Sequence, residues 1–449
     1  MKIAKKRKGL LSIVLACALL LSAGGCAGGG TQSSSGGEPE SPASGEKVKI
    51  NMMFQVSASG QERPDFVVEK VREKFPDIEI VPDFVEGDES NYATKIRTLI
   101  SAGGDGLDVW WDRGGTWVLP VLKANAALPL NDYLDKVDGF WDTVDESAIK
   151  PHTDGNIYAI PCEEVFWEII LYNKEIFDQN GLEAPKTVDE LKNVVTVLKD
   201  AGITPLVCAA KAGWPAAMQV EGFAYSMDPE ITAKIMKGEA KFSDAPYLEA
   251  TKVIQELFSL GAYPENIAMM DETEALNMFY AGEAAMMSNG SWGLPPACKE
   301  LNGNCDYFYF PAINAEDAGS IGKACAGGVK DNAGAMVYSG TAYPELATEL
   351  AVEMSRNYQR YLYEIDQSPF VVYDAEALGW DKPDFDPVAL RLADEMGKFD
   401  HSYPFVQDSL PTSAGATLLM ESSNKLFSNS GSYSAEDYVA DLDRALEEE

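Results

Sequence analysis

Two runs of alternating strand and helix, the second restarting where the first stops, constrain this chain most. Val48, Ile50, Met52 and Phe54 fall on every second position, which predicts a strand over 47–54. Ser59 and Glu62 have capping-box spacing, and Val67, Val71 and Phe75 then recur every fourth residue until Pro76 ends the helix. Ile78 and Ile80 open a second strand, 92–100 reads as a helix, and 107–111 is a short apolar strand. That order predicts a mostly parallel sheet with covering helices. After residue 160 the pattern begins again. A strand is expected over 169–172. A helix follows with Thr187 and Glu190 as its capping pair and Leu191, Val194, Val195 and Leu198 as its stripe, and Gly202 ends it. Strands at 203–208 and 284–287 and helices at 246–260 and 273–280 complete the second block. Two successive α/β blocks predict an α/β fold, with ligands bound at the carboxyl ends of strands and in the cleft between blocks.

The amino-terminal segment carries a different signal. Lys2, Lys5, Lys6, Arg7 and Lys8 precede an apolar run over 10–21, then Ala23, Gly24, Gly25 and Cys26. The apolar run is too short for a membrane span, which needs about 20 residues. Basic, apolar, small, then cysteine is the layout of an export signal, 1–25, and it resembles a bacterial lipoprotein signal in which Cys26 is lipid-modified. Residues 26–45 are rich in Gly and Ser and read as a flexible tether, reaching about 25 Å on random-coil scaling. Cys17 is a second possible lipid site but leaves a very short apolar region.

The net charge of −35 becomes more negative once the basic leader is removed. Such a surface repels nucleic acid and anionic lipid and suits an external protein. The five cysteines beyond Cys26 (Cys162, Cys208, Cys298, Cys305 and Cys325) are too few and too odd for a disulfide scaffold. Cys298 and Cys305 flank a short loop and could bridge in an oxidising exterior; isolated buried thiols are the alternative. The chain has only two histidines, His152 and His401. It has no His-Glu-x-x-His run, no Gly-x-Ser-x-Gly elbow and no phosphate loop. No enzyme activity, metal or other cofactor is therefore expected. A glycosidase using Glu163, Glu164 and Glu168 is the least favoured alternative, since paired carboxylates arise by chance among 71 acidic residues.

Six segments then match one family in order and spacing. They are Gly106-Leu107-Asp108-Val109-Trp110-Trp111-Asp112, Ala127-Leu128-Pro129-Leu130-Asn131-Asp132-Tyr133-Leu134, Gly155-Asn156-Ile157-Tyr158-Ala159-Ile160-Pro161, Leu171-Tyr172-Asn173-Lys174-Glu175-Ile176-Phe177, Pro185-Lys186-Thr187-Val188-Asp189-Glu190-Leu191, and Phe279 to Met287 with Gly290-Ser291-Trp292. The chain resembles the extracellular solute-binding lipoproteins of ABC importers, the sugar-binding family 1 type similar to maltose-binding protein. The last 120 residues match only loosely. The resemblance implies a periplasmic-binding-protein-like fold of two α/β lobes joined by a hinge of crossing segments. Lobe I would hold 46–160 plus about 338–368, and lobe II 161–337 plus about 369–449. The first crossing would lie near 160–168, the return near 327–338 and a further crossing near 367–372. The implied function is capture of a carbohydrate, an oligosaccharide in particular, and its delivery to the transmembrane permease subunits of an ABC importer. The protein would be a monomer held at the membrane by its lipid anchor. A polyamine or peptide binder on the same fold is the alternative.

A sugar presents apolar C–H faces and a rim of hydroxyls, so its site needs flat rings and polar side chains. Trp292 sits where the family places a stacking aromatic, and Trp214 follows a strand end beside Gly213 and Pro215. Trp111, Asp112 and Arg113 follow the third strand, where similar sugar binders grip hydroxyls. Glu164, Phe166 and Trp167 fall at the first crossing, where relatives turn aromatic and acidic residues toward the cleft. Gln61 and Glu86 sit at carboxyl ends of strands. Gly328 lies in a glycine-containing return segment that permits close backbone approach to a ligand. Each has a plainer structural reading as core, cap or solvated loop. Tyr373 and Trp380 in the tail could line the second lobe.

Overall fold

The first strand is predicted by alternation, yet both of its faces are covered at the centre. In β1 (Val48–Val56) Ile50, Met52, Met53 and Phe54 are all buried. This happens because β1 lies between β2 (Ile78–Glu86) and β3 (Val109–Asp112), both parallel to it, with helices on the two faces. The structure is a computed structural model. It describes residues 47–448 apart from 57–59, 88, 321–323, 397, 399–400 and 429–430. The leader, Cys26 and the tether lie outside the described residues, as does Ser59.

Two sheets carry the fold. The first has the order β2–β1–β3–β9, where β9 (Gly334–Val337) pairs antiparallel with β3. The helix Glu62–Lys74 buries Val67, Val68 and Val71 and packs beside the long helix Pro344–Glu364. Its N-cap is Gln61 with no side-chain cap bond, so Glu62 is the first helical residue rather than the third position of a capping box. The expected Ser59–Glu62 box involves Ser59, which lies outside the described residues.

The second sheet contains β4 (Phe166–Asn173), β5 (Thr204–Val207), β6 (Ala284–Gly290), β7 (Cys305–Phe308), β8 (Ala324–Gly328) and β10 (His401–Tyr403). The order is β10–β8–β4–β6–β5, with β7 also on β4. β4 runs antiparallel to β6, β7 and β8, while β5–β6 and β8–β10 are parallel. The second block is thus a mixed sheet. The helix Val188–Asp200 has the complete Thr187–Glu190 capping box, with the Leu191, Val194, Val195 and Leu198 stripe buried. The helix Glu272–Tyr280 carries another box, Asp271–Glu274, that sequence reading passed over.

Each sheet has its own apolar core. One gathers residues from Ile50 to Cys162, Ala335 to Tyr358, and Val372 and Tyr373; the other runs from Phe166 to Phe310, with Phe370 and the carboxyl-terminal helices. Val165 packs against both. Three segments run side by side between the cores. Ile160 and Ala335 exchange backbone bonds, Val165 N donates to Phe370 O at 3.0 Å, and Gly334 leaves no room for a Cβ against Ile160 O.

Candidate functional site

The mixed pairing of the second sheet decides which residues meet. Trp214 opens the helix after β5, and Trp292 follows the carboxyl end of β6. Because β4 is antiparallel to β6, its amino end, where Phe166 lies, comes to that same edge, and Glu168 pairs Gly290. β8 delivers Gly328 opposite Phe166, and β10 leads there to Phe405. Four aromatic rings consequently converge. Trp214 and Trp292 have centroids 6.0 Å apart, Phe166 and Phe405 5.0 Å, Trp292 and Phe166 5.9 Å, and Trp214 and Phe405 6.0 Å. Phe166 and Phe405 are buried, whereas the two tryptophans are partly exposed and have faces to offer. Gly290 makes room for this: a Cβ there would overlap the Trp292 ring. Lys330, buried, sits 5.7 Å over the Phe166 ring and 3.3 Å from the buried Asp408 carboxylate.

The carboxyl ends of the first sheet meet this edge through the turn after β3. Asp112 is buried and accepts from Trp110 Nε1 at 2.8 Å and from Gly114 N at 2.9 Å. Burial raises its pKa to about 6 against the pull of those two donors. Its carboxylate thereby shapes the Gly114–Gly115 turn. Gly114 takes φ 71°, and a Cβ on it would press on Asp331 O and Ala333 N. Gly115 N donates to Asp331 O at 2.8 Å, and Thr116 Oγ1 donates to Leu410 O at 2.7 Å. The turn therefore rests on the return segment and on the helix Val406–Ser409.

Among the buried polar atoms without hydrogen bonds in the described residues, three lie by this turn. Trp111 Nε1, Asn332 Oδ1 and Gln407 Oε1 are all in that state. Native interiors rarely leave such atoms unmet, and a concentration of them marks where a ligand or water supplies the missing partner. Trp111 is otherwise packed on Tyr92, whose hydroxyl donates to Trp111 O at 2.7 Å. Arg113 acts electrostatically on Glu272, at the start of the helix Glu272–Tyr280. Desolvation raises the Glu272 pKa and the Arg113 charge opposes it.

Other expected residues are placed elsewhere. Glu164 is buried and accepts from Ser368 Oγ, so it ties two of the crossing segments together; burial, partly offset by that bond and by Arg63, raises its pKa to about 7. Phe166, Trp167 and Glu168 are strand residues of β4 rather than part of a crossing, because their backbones pair with β6 and β8. Trp167 is buried, its backbone N–H donates to Ser291 Oγ at 3.1 Å, and a Cβ on Gly327 would strike its ring. Gln61 is exposed and bonds Asp65 of its own helix, and Glu86 is exposed at the end of β2. Gly328 adopts φ 96°, a conformation that favours glycine. Tyr373 is bonded to Ser355 within the first core, and Trp380 packs against that core rather than the second. Sequence reading missed Phe405, Gln407 and Asp408, which follow a three-residue strand with no legible periodicity. Among the described residues no cluster of metal-ligating side chains occurs, and no helix is long and apolar enough to cross a membrane.

Comparison with known proteins agrees with this architecture. The chain is 28% identical over 294 residues to an uncharacterized ABC transporter extracellular-binding protein of Pyrococcus horikoshii, covering 64% of this chain and 65% of that protein. It is 27% identical over 188 residues to the alpha-glucosides-binding periplasmic protein of Rhizobium meliloti, covering 36% and 38%. The matched region spans less than two-thirds of either relative's own length. Among solved structures, a chitin oligosaccharide binding protein superposes with a TM-score of 0.76 at 23% identity, over 90% of this chain and 99% of that one. A maltose-bound protein of T. maritima superposes with a TM-score of 0.70 at 17% identity, over 89% and 99%. These share the periplasmic-binding-protein-like α/β fold. Residues 57–357 match the profile described as "Bacterial extracellular solute-binding protein", and the chain belongs to that family.

Proposed function

We propose that this protein captures a carbohydrate, an oligosaccharide, between two α/β lobes and hands it to the permease of an ABC importer. One observation carries the reading. The partly exposed faces of Trp214 and Trp292 lie at the same edge as the unmet polar atoms of Trp111, Asn332 and Gln407. Rings beside unsatisfied donors and acceptors match the two-sided chemistry of a sugar, apolar C–H faces and a rim of hydroxyls. The alpha-glucoside, chitin oligosaccharide and maltose ligands of similar proteins lend the same support.

In this reading lobe I comprises 46–160 with about 338–368, and lobe II 161–337 with about 369–449. The three crossing segments act as the hinge. The sugar shifts the lobes toward closure only by its preference for the closed form, and no bond is broken. Lipid on Cys26 keeps the monomer at the membrane beside its permease. The test is calorimetry on the purified mature chain with xylo-, chito- and malto-oligosaccharides and with spermidine. Heat from one glycan series alone is expected. Binding of spermidine with silence from every glycan would overturn the proposal, and so would the appearance of cleaved glycan.

A further inference from the structure

The site just described uses none of the cysteines. Cys298 lies near the end of the helix Leu294–Glu300 and Cys305 opens β7; their exposures are 2% and 0%. The connection between them is a tight reversal. Asn302 and Gly303 take φ of 52° and 78°, Gly303 N donates to Cys298 O at 2.7 Å, and Asn302 N donates to Lys299 O at 3.2 Å. These two bonds form the Schellman closure of a helix end, which turns the chain back along the helix. β7 is then held in place: Asn173 pairs Cys305 in the ladder, and Lys174 N donates to Asn304 O at 2.9 Å. The reversal lays β7 against the helix Leu294–Glu300, so that the Cys298 thiol is the neighbour that most perturbs the Cys305 thiol, whose Sγ donates to Asp306 O at 3.7 Å. One thiol sits on a capped helix end and the other on the paired strand that follows its tight reversal, a local arrangement that a short-range bridge can span. Cys162 and Cys208 differ. The first donates to Ile160 O and the second accepts from Gln219 Nε2, each inside a separate core.

We propose that Cys298 and Cys305 form a disulfide in the exported protein. Both S–H hydrogens leave as protons, the S–S bond forms, and the electron pair reduces the disulfide of a thiol–disulfide exchange partner to its dithiol. Membership of an extracellular family places the chain where such bonds persist. The bridge would pin the far end of the helix that begins beside Trp292. The neighbouring Cys298 thiol and burial push the Cys305 thiol above its usual pKa, so Cys305 is a poor thiolate once folded.

The test uses the full chain secreted through an oxidising compartment, unfolded without reductant and alkylated with iodoacetamide. Trypsin cuts after Lys299, between the two cysteines. The expected map shows the Cys298 and Cys305 peptides as one linked pair that dithiothreitol separates, with Cys162, Cys208 and Cys325 alkylated. Chain refolded with glutathione disulfide should melt a few degrees above chain refolded with dithiothreitol, and the C298A/C305A variant should show no such difference. Full alkylation of both residues in the secreted and the refolded protein, or linkage of either to Cys325, would overturn the proposal. The peptide map on the natural sequence decides the matter even if the variant does not fold, and sugar binding plays no part in it.

Discussion

At the scale of single residues, side chains of the same type divide by what surrounds them. Trp110 is fully buried in the first core, whereas Trp292 keeps a face partly open above Gly290. Trp292→Ala should weaken glycan binding by about 1–3 kcal/mol, measured by calorimetry, with the fold retained. Trp110→Ala should instead cost about 3–5 kcal/mol of folding stability in urea melts. If Trp292→Ala unfolds the chain as readily as Trp110→Ala, the ring is core and not platform. Glu164 gives a pH prediction. Its pKa is about 7 when folded, above the ordinary 4.5. The native state therefore holds a proton that the unfolded chain has released across that window, and stability falls as pH rises from about 4.5 to about 7. Glu164→Gln, which keeps the Ser368 contact without ionising, should flatten that slope of melting temperature against pH. The chemistry expected of Trp214, Trp292 and Phe166 could be read from their neighbours in sequence. The positions of Glu164 and Asp112 could not, because both carboxylates are bonded to their own chain.

At the scale of elements, local signals were readable wherever they act within one turn. The Thr187–Glu190 box, the stripe behind it and the stop before Pro76 all depend on residues three or four apart. Thr187→Ala should therefore lower stability by about 0.5–2 kcal/mol, read as a lower urea midpoint with an unchanged slope. An unchanged midpoint would mean that tertiary packing alone holds the helix start. Signals that require a partner were less legible. The apolar run of β4 has the same periodicity whichever way its neighbours run, so its antiparallel pairing was invisible, and with it the extension of the strand back to Phe166.

At the scale of the whole molecule, the two sheets, each with its own core, are joined by three adjacent segments and by the Gly114–Thr116 turn resting on 406–410. If those segments serve as a hinge, X-ray scattering should record a smaller radius of gyration when a bound glycan is added. An unchanged radius with a tightly held glycan would argue for a rigid receptor. The sequence by itself determined the α/β class, the parallel start of the first sheet, and the aromatic residues beside strand ends, because periodicity and turn chemistry act over a few residues. Only the tertiary structure decided which of those side chains meet. Thr116 and Leu410 are 294 positions apart, and Phe405 joins Trp214 through a short strand that pairs with β8. Such contacts arise from the order and direction of strands in a sheet, which no local pattern of residues encodes.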